Sequence, residues 1–384
     1  MRSALLEPCV RLSVEKAPSP RVSVVMPVRN GGCFLSEAIQ SILAQTFRDF
    51  EFIIVDDGSV DNTREILAQA AARDPRVRIL SQPPSGIVAA LEAARACARG
   101  MYLARMDADD VSSPDRLARQ VEFLDRNPLI IALGGQVRII DATGRALKLG
   151  RWPVSEKACK THLEIGSPLC HPAVMMRATA VEACGGYKGV SEPAEDYDLW
   201  LRLSKIGEFA NLNEIVLDYR VHSNSVTFTR AKANARAAAL ALLSFKVGEQ
   251  FPFDANADAR TDWPTIEARI KPSQRMFARA AYLCALIRNG AIADNAEFQL
   301  LLNSLADLTR DPIVRQRTDA LSFMIIRGAY QIRRSRSVAD IWRLLQLGVR
   351  YFPVSMVHEA TRTLANRMSA RPKLVPQVQA VNFG

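Results

Sequence analysis

VSVVMPVRNGGCFLSEAIQSILAQTFRDFEFIIVDDGS, residues 22–59, decides the fold of this chain. Val22–Pro27 is a β-branched apolar run closed by proline, which reads as a buried strand ending at a loop. Phe34–Leu43 then sets Leu35, Ile39, Ile42 and Leu43 on one helical face, and Phe50–Val55 is a second buried run that ends in Asp56-Asp57-Gly58-Ser59. Strand, helix and strand make one β-α-β unit. Downstream the pattern repeats: a helix over Asp61–Arg73 with an acidic start, a strand over Val77–Leu80, an alanine-rich helix over Ile87–Ala98 and a strand over Met101–Arg105. Such alternation demands a parallel sheet with helices on both faces, and ligands of such sheets sit at the carboxyl ends of the strands.

After Thr229 the character changes. Ala231–Lys246 and Ser273–Arg288 are strongly helix-forming, and apolar periodicities recur over Ile292–Leu308 and Val338–Val349. Gln250–Pro264 reads as a linker and Pro372–Gly384 as a loose tail. The expected organisation is an N-terminal extension over 1–20, an α/β domain over 21–228 and an all-helical region over 229–384.

With 384 residues the chain has room for two domains of about 150 residues each. Its 48% apolar and 23% charged residues are ordinary globular composition. The seven cysteines are odd in number and scattered without CxxC spacing, so no disulfide framework is expected and a reducing cytoplasm fits. Charges interrupt every short apolar run of the first twenty residues, and no stretch approaches the roughly 18 apolar residues of a spanning helix. A net charge of +10 permits binding to nucleic acid, anionic lipid or a phosphorylated substrate as well as plain solubility, and of these no nucleic-acid partner is expected.

Chemistry gathers in Met106-Asp107-Ala108-Asp109-Asp110, at the end of the fourth strand, with Ser113-Pro114-Asp115 at the next helix start. Asp107 and Asp109 are two positions apart, so in extended chain they point the same way and can share one hard cation, through which diphosphates bind. The same residues also read as a solvated turn capping the following helix. Their place at a strand end, beside Asp56-Asp57-Gly58-Ser59 at another, favours the site.

Three segments, VSVVMPVRNGGCFLSEAIQSILAQTFRDFEFIIVDDGSVDNT, MDADDVSSPDRL and SEPAEDYDLWLRL, together resemble a family-2 inverting glycosyltransferase over about residues 21–228. The resemblance implies the GT-A fold, a Rossmann-like, mainly parallel sheet flanked by helices. It implies a nucleotide-diphosphate sugar donor, a UDP-sugar, and a saccharide or lipid-linked acceptor in bacterial surface polysaccharide synthesis. Pro27, Val28 and Arg29 with the acidic turn would hold the nucleotide. Asp57, or its neighbour Asp56, matches the base-binding aspartate, where a carboxylate can accept from the uracil imide. Asp109 matches the principal ligand of Mg2+ or Mn2+, Asp107 stands nearer the ribose or a metal-bound water, and Asp110 is expected to cap the next helix.

Asp196 matches the aspartate of the family's Glu-Asp pair, the base that takes the acceptor's proton, and Glu195 its partner. Acidic residues are equally at home in a helix's first turn. Gly185-Gly186-Tyr187 resembles the glycine loop that lets backbone approach the substrates, and an ordinary turn would look the same. Tyr219-Arg220-Val221-His222-Ser223-Asn224-Ser225-Val226 resembles the closing segment whose histidine reaches back to the metal. Gly86 is expected near the donor, although Leu91-Glu92 stands where relatives carry asparagine. His171-Pro172 receives only a place on the acceptor side.

A dinucleotide oxidoreductase wants GxGxxG after the first strand, and the loop here is PVRNGGC. A sugar nucleotidyltransferase wants a glycine-rich basic first loop, which Arg29 with Gly31-Gly32 only faintly suggests. A degenerate scaffold that binds nucleotide sugar without turnover would not need Asp109, Asp196 and His222. Arg333, Arg334, Arg336, Arg343 and Arg350 accompany Trp342, Leu344, Leu345, Leu347, Val349, Tyr351 and Phe352. That stripe either lies peripherally on the anionic inner face of the cytoplasmic membrane or packs inward as ordinary helix surface.

Overall fold

A computed structural model describes residues 19–189, 192–222, 230–248, 251, 261–288, 300, 325–326 and 345–346. The elements follow the order β1 (Val22–Val28), α1 (Leu35–Leu43), β2 (Phe50–Asp57), α2 (Thr63–Arg73), β3 (Val77–Gln82), α3 (Ile87–Cys97), β4 (Tyr102–Arg105), β5 (Val111–Ser112), α4 (Arg116–Arg126), β6 (Ile130–Ile140) and β7 (Ala146–Gly150). Then come α5 (Glu156–Leu163), a 3-10 turn (His171–Ala173), β8 (Met175–Arg177), α6 (Ala178–Ala183), α7 (Glu195–Leu203) and β9 (Glu208–Arg220). Beyond residue 229 the described elements are helices: α8 (Ala231–Val247), α9 (Trp263–Ala268) and α10 (Pro272–Arg288).

One sheet carries the order β3-β2-β1-β4-β8-β6-β9-β5, with β7 also paired to β6. Strands β1 to β4 pair in parallel, Val22 opposite Phe50 and Tyr102, and Phe52 opposite Val77. The later half is mixed: β8 runs antiparallel to both β4 and β6, β6 parallel to β9, and β5 antiparallel to β9. Every residue of β1 and β2 is buried, as strands covered on both faces require. Their side chains alternate: Val25, Ile53, Val55 and Leu103 enter one core with α3, α7 and α8. Val22, Val24, Met26, Phe52, Ile54 and Tyr102 enter the other with α1, α2 and α4.

The Rossmann-like alternation expected up to residue 105 is present, with β2 two residues longer than the apolar run because Asp56 and Asp57 continue its pairing to β3. Helix α8 joins the first of the two cores and anchors to the α/β part through Lys246 to Glu164 at 2.6 Å and Asn234 Nδ2 to the Pro193 carbonyl at 2.6 Å. Most of the expected N-terminal extension, of the linker over 250–264 and of the helices over 292–308 and 338–349, together with the tail over 372–384 and the segment Ser223–Val226, lies outside the described residues. Of the arginine and aromatic stripe only Leu345 is described, half-buried against the core. Among the described residues no helix is long and apolar enough to cross a membrane.

Candidate active site

Because β1, β2 and β4 run parallel, the loops that follow them emerge side by side at one edge of the sheet. The first two loops are knitted together. The Asn30 N–H donates to Ser59 Oγ at 2.9 Å, the Gly31 N–H to Thr63 Oγ1 at 2.9 Å, and the Val60 N–H to Asn30 Oδ1 at 2.9 Å. Pro27 and Val28 are buried at the end of β1, and Arg29 is exposed just past it.

Asp56 and Asp57 close the adjacent strand, and both are buried. Asp56 accepts from the Ser59 N–H at 2.9 Å and from Arg64 Nε at 3.1 Å. Burial would raise its pKa, but the bonds from Ser59 and Arg64 outweigh it and hold the carboxyl below its ordinary value. Asp57 accepts from Gln82 Nε2 at 2.7 Å, the Ser85 N–H at 2.8 Å and the Gly86 N–H at 3.0 Å. A carboxylate has about four acceptor positions, so one remains for a ligand. Gly58, directly after Asp57, has φ +72°, and a Cβ there would lie 2.6 Å from Pro84, so only glycine lets the turn form. Gly86, at φ +92°, faces the Glu192 carboxylate.

The acidic turn after β4 lies at the next strand end. Asp107 forms an ion pair with the buried Arg105. Asp109 Oδ2 stands 2.9 Å from His222 Nε2 at the end of β9. Asp110 does not cap the next helix as expected: β5 intervenes, Asp115 stands at the start of α4, and Asp110 is buried with Oδ1 accepting from the Arg220 N–H at 2.8 Å. Burial, and then the charges of Asp107 and Asp109, push the Asp110 carboxyl well above its ordinary pKa. Burial also raises Asp107, with Asp109 and Asp196 adding to the shift and Arg105 opposing it.

Asp107, Asp109 and Asp110 offer oxygens within 4.8 Å of one another, and Asp110 Oδ2 is buried without a partner. Mutually repelling carboxylates with an unsatisfied buried oxygen fit a hard divalent cation.

Helix α7 brings the second pair of carboxylates. Asp196 is near enough for its charge to raise Asp107, and its Oδ1 accepts from the Tyr197 N–H at 2.7 Å. Glu195 is buried with Oε2 unpartnered, and burial, reinforced by the Asp196 charge, pushes it up to about 8. Beside them the Tyr187 hydroxyl and His171 Nε2 stand 2.8 Å apart, and the imidazole packs edge-on against Trp200 at 5.9 Å. Burial, and then the Arg105 charge, hold His171 well below its usual pKa, so the ring is neutral.

Several residues around the site escaped the sequence reading. Arg105 is buried among these groups; burial would lower its pKa, but the charge and hydrogen bond of Asp107, with the charges of Tyr187 and Asp110, together hold it above its ordinary value. Glu92 stands where an asparagine was expected, and its Oε1 instead accepts from the Tyr187 N–H at 2.6 Å. At Gly186, φ +64°, a Cβ would lie 2.4 Å from that same oxygen, which explains the glycine.

Arg116 is fully buried and donates to the Arg105 carbonyl at 2.7 Å and to Gln120 Oε1 at 3.1 Å, and burial pushes its pKa down to about 10. Gln120 in turn donates to the Leu133 carbonyl at 3.0 Å and the Ala173 carbonyl at 2.8 Å. The two side chains fix the strand end from which the acidic turn departs. Nothing in Asp115-Arg116-Leu117 signals this, since a charged helix start is ordinarily solvated.

The family described as Glycosyl transferase family 2 matches residues 23–185. A putative glycosyltransferase, EpsE, of Bacillus subtilis (strain 168) is 36% identical over 218 residues, which cover 55% of this chain and 76% of that protein. The chondroitin synthase of Escherichia coli is 31% identical over 212 residues, covering 55% of this chain but 30% of the synthase. The chain thus spans less than a third of that relative. Among solved structures, residues 1–349 of S. aureus TarS in complex with UDP-GlcNAc superpose with a TM-score of 0.51 at 14% identity, covering 83% of this chain and 93% of that one. At that identity the likeness speaks for the shared GT-A architecture alone.

Proposed function

The chain belongs to glycosyl transferase family 2, and we propose that it moves a sugar, with inversion and with the help of a divalent cation, from a nucleotide diphosphate to a hydroxyl group. The donor in this reading is a UDP-sugar, and the acceptor is a saccharide or lipid-linked saccharide of a bacterial surface polysaccharide. The kinship with a chondroitin synthase supports a polysaccharide product. A lipid-linked acceptor would bring the enzyme to the cytoplasmic face of a membrane, where sedimentation with anionic against neutral vesicles tests the association.

One observation carries the proposal: two sets of carboxylates with different surroundings, the acidic turn after β4 and the start of α7, lie within electrostatic reach of each other. On the donor side, the remaining acceptor position of Asp57 suits the imide N–H of uracil, Gly86 borders it, and Pro27, Val28 and Arg29, at the end of the adjacent strand β1, would complete that corner. Asp109 and Asp107, with His222, would hold Mg2+ or Mn2+. A cation there supplies charge neutralisation for the departing nucleotide diphosphate.

On the acceptor side, Asp196 takes the hydroxyl proton as the oxygen bonds to the anomeric carbon and the bond from that carbon to the diphosphate oxygen breaks. Glu195, holding its proton up to about 8, can donate a hydrogen bond to an acceptor oxygen and leaves Asp196 to be the base.

Incubation with a panel of nucleotide sugars, with and without Mn2+, tests this reading. Metal-dependent release of nucleoside diphosphate from at least one donor is expected. Tight nucleotide binding with no turnover of any donor and acceptor pair would favour the scaffold reading instead.

A further inference from the structure

Arg220 closes β9 with its side chain buried at the meeting point of three segments. Its Nε donates to the Asp109 carbonyl at 2.8 Å and one terminal nitrogen to Glu37 Oε2 at 2.6 Å. The other terminal nitrogen reaches the Asp141 and Ala142 carbonyls at 3.4 Å, while the backbone N–H serves Asp110. The guanidinium carbon lies 4.7 Å from the centre of the Phe34 ring, and that ring lies 5.1 Å from the imidazole of His222. His222 Nε2 returns to the Asp109 carboxylate. The chain of contacts is closed: Arg220 to the Asp109 backbone, Asp109 Oδ2 to His222, His222 to Phe34, and Phe34 to Arg220.

We propose that Arg220 and Phe34 are positioning residues for the candidate cation site, fixing the Asp109 carboxylate and the His222 imidazole without touching the cation. The inference rests on reading Asp109 and His222 as ligands and adds the device that aims them. Asp109 is held at both ends, by its carbonyl and by its carboxylate, so its side chain has little freedom left. The aromatic ring serves both arms, giving the guanidinium a π-face and the imidazole a wall. An arginine suits this post because it stays charged at any working pH and spreads its donors in a fixed fork, so one side chain can bind carbonyls of separate segments. Lysine would bring one point charge and lose most of these bonds.

The test titrates the full-length protein with Mn2+ alone, followed by electron paramagnetic resonance, with thermal unfolding read on the same samples. Phe34→Leu keeps apolar bulk and removes the ring face, and Arg220→Lys keeps charge and removes the fork. Each is expected to weaken Mn2+ binding by about tenfold or more, the usual consequence of losing a group that orients a ligand. Phe34→Tyr restores the ring and is expected to restore affinity. In a His222→Ala background, Phe34→Leu is expected to cost clearly less than it does in the parent, since the part that acts through the imidazole is already lost.

Folded Phe34→Leu protein with wild-type Mn2+ affinity overturns the proposal, as does full additivity with His222→Ala. Where Arg220→Lys fails to fold, Phe34→Leu and the double variant carry the decision. Asp109→Asn separates the two levels. If it retains Mn2+ affinity, the site reading fails and this proposal with it, whereas lost affinity in Asp109→Asn beside intact affinity in Phe34→Leu overturns the positioning device alone.

Discussion

Two acidic corners of this molecule are built on opposite terms. At the end of β2, every oxygen of Asp56 and Asp57 has a partner: five hydrogen bonds reach their four oxygens from neighbouring loops and Arg64. At the end of β4 and the start of α7, Asp110 and Glu195 each keep a buried oxygen without a partner, and both carboxyls are raised in pKa. Carboxylates whose oxygens are all partnered shape a pocket; mutually repelling ones with an unpartnered oxygen suit a cation, a proton or a substrate hydroxyl. The fold can store the second corner because Arg105 sits beneath it as a buried countercharge.

Removing that countercharge should be the largest single disturbance. Arg105→Met leaves Asp107 and its neighbours without a cation, and breaking such a buried pair costs about 3–5 kcal/mol. The thermal midpoint is expected to fall sharply and to recover in part on adding Mn2+, which would replace the lost charge. A variant as stable as the parent without metal would mean that the carboxylates do not depend on Arg105.

Next is Asp196→Asn, which keeps shape and removes the base. Its turnover is expected to fall by about 100-fold or more with donor affinity unchanged. Single-turnover rates beside equilibrium donor binding decide it, and a fall in binding with unchanged chemistry would move Asp196 to the donor side.

Within the partnered corner, Asp57 and Asp56 should separate. Asp57→Asn turns the remaining acceptor position into a donor, or loses a loop bond, and is expected to weaken UDP binding about tenfold, the loss of one charge-assisted hydrogen bond. Asp56→Asn lies beneath the surface and is expected to lower the thermal midpoint while UDP affinity stays within about twofold. Calorimetry of UDP binding checks both, and equal losses in the two variants would erase the distinction.

How much of this was legible follows the range of the interactions. The buried runs at Val22–Pro27 and Phe50–Val55 announce themselves locally, and the carboxylates that close the second are marked by position. Ile130–Ile140 was not read as a strand. Its glycines and polar residues answer to partners about 80 residues on: a Cβ at Gly134 would meet Asn211, and one at Gly135 would meet Val216. Arg105, Arg116 and Arg220 escaped for a related reason: a buried guanidinium is the reverse of the rule by which arginine is read. Arg105 pairs with the Asp107 carboxylate, while Arg116 and Arg220 donate to backbone carbonyls that no sequence pattern displays. Glu92 stands where relatives carry asparagine, a departure that gave it no role in the sequence, and its partner is the main chain of Tyr187 in the glycine loop.

The most gradual effect, spread over several pH units, concerns the proton on Glu195. Its folded pKa, pushed up to about 8 by burial and then by Asp196, lies above the ordinary value of 4.5 that the unfolded chain restores. A carboxyl raised in this way favours the folded state while it is protonated. Its contribution is complete below the unfolded pKa and is lost as pH rises through the folded one. Between about pH 5 and 8 the parent should therefore lose stability relative to Glu195→Gln, whose amide carries no proton to lose, by on the order of 1 kcal/mol per pH unit. Chemical denaturation of both proteins at half-unit pH intervals measures the difference directly. A gap that stays constant from pH 5 to 8 would show that Glu195 is already ionised in the folded state, and the contrast between the two corners would then rest on the acidic turn alone.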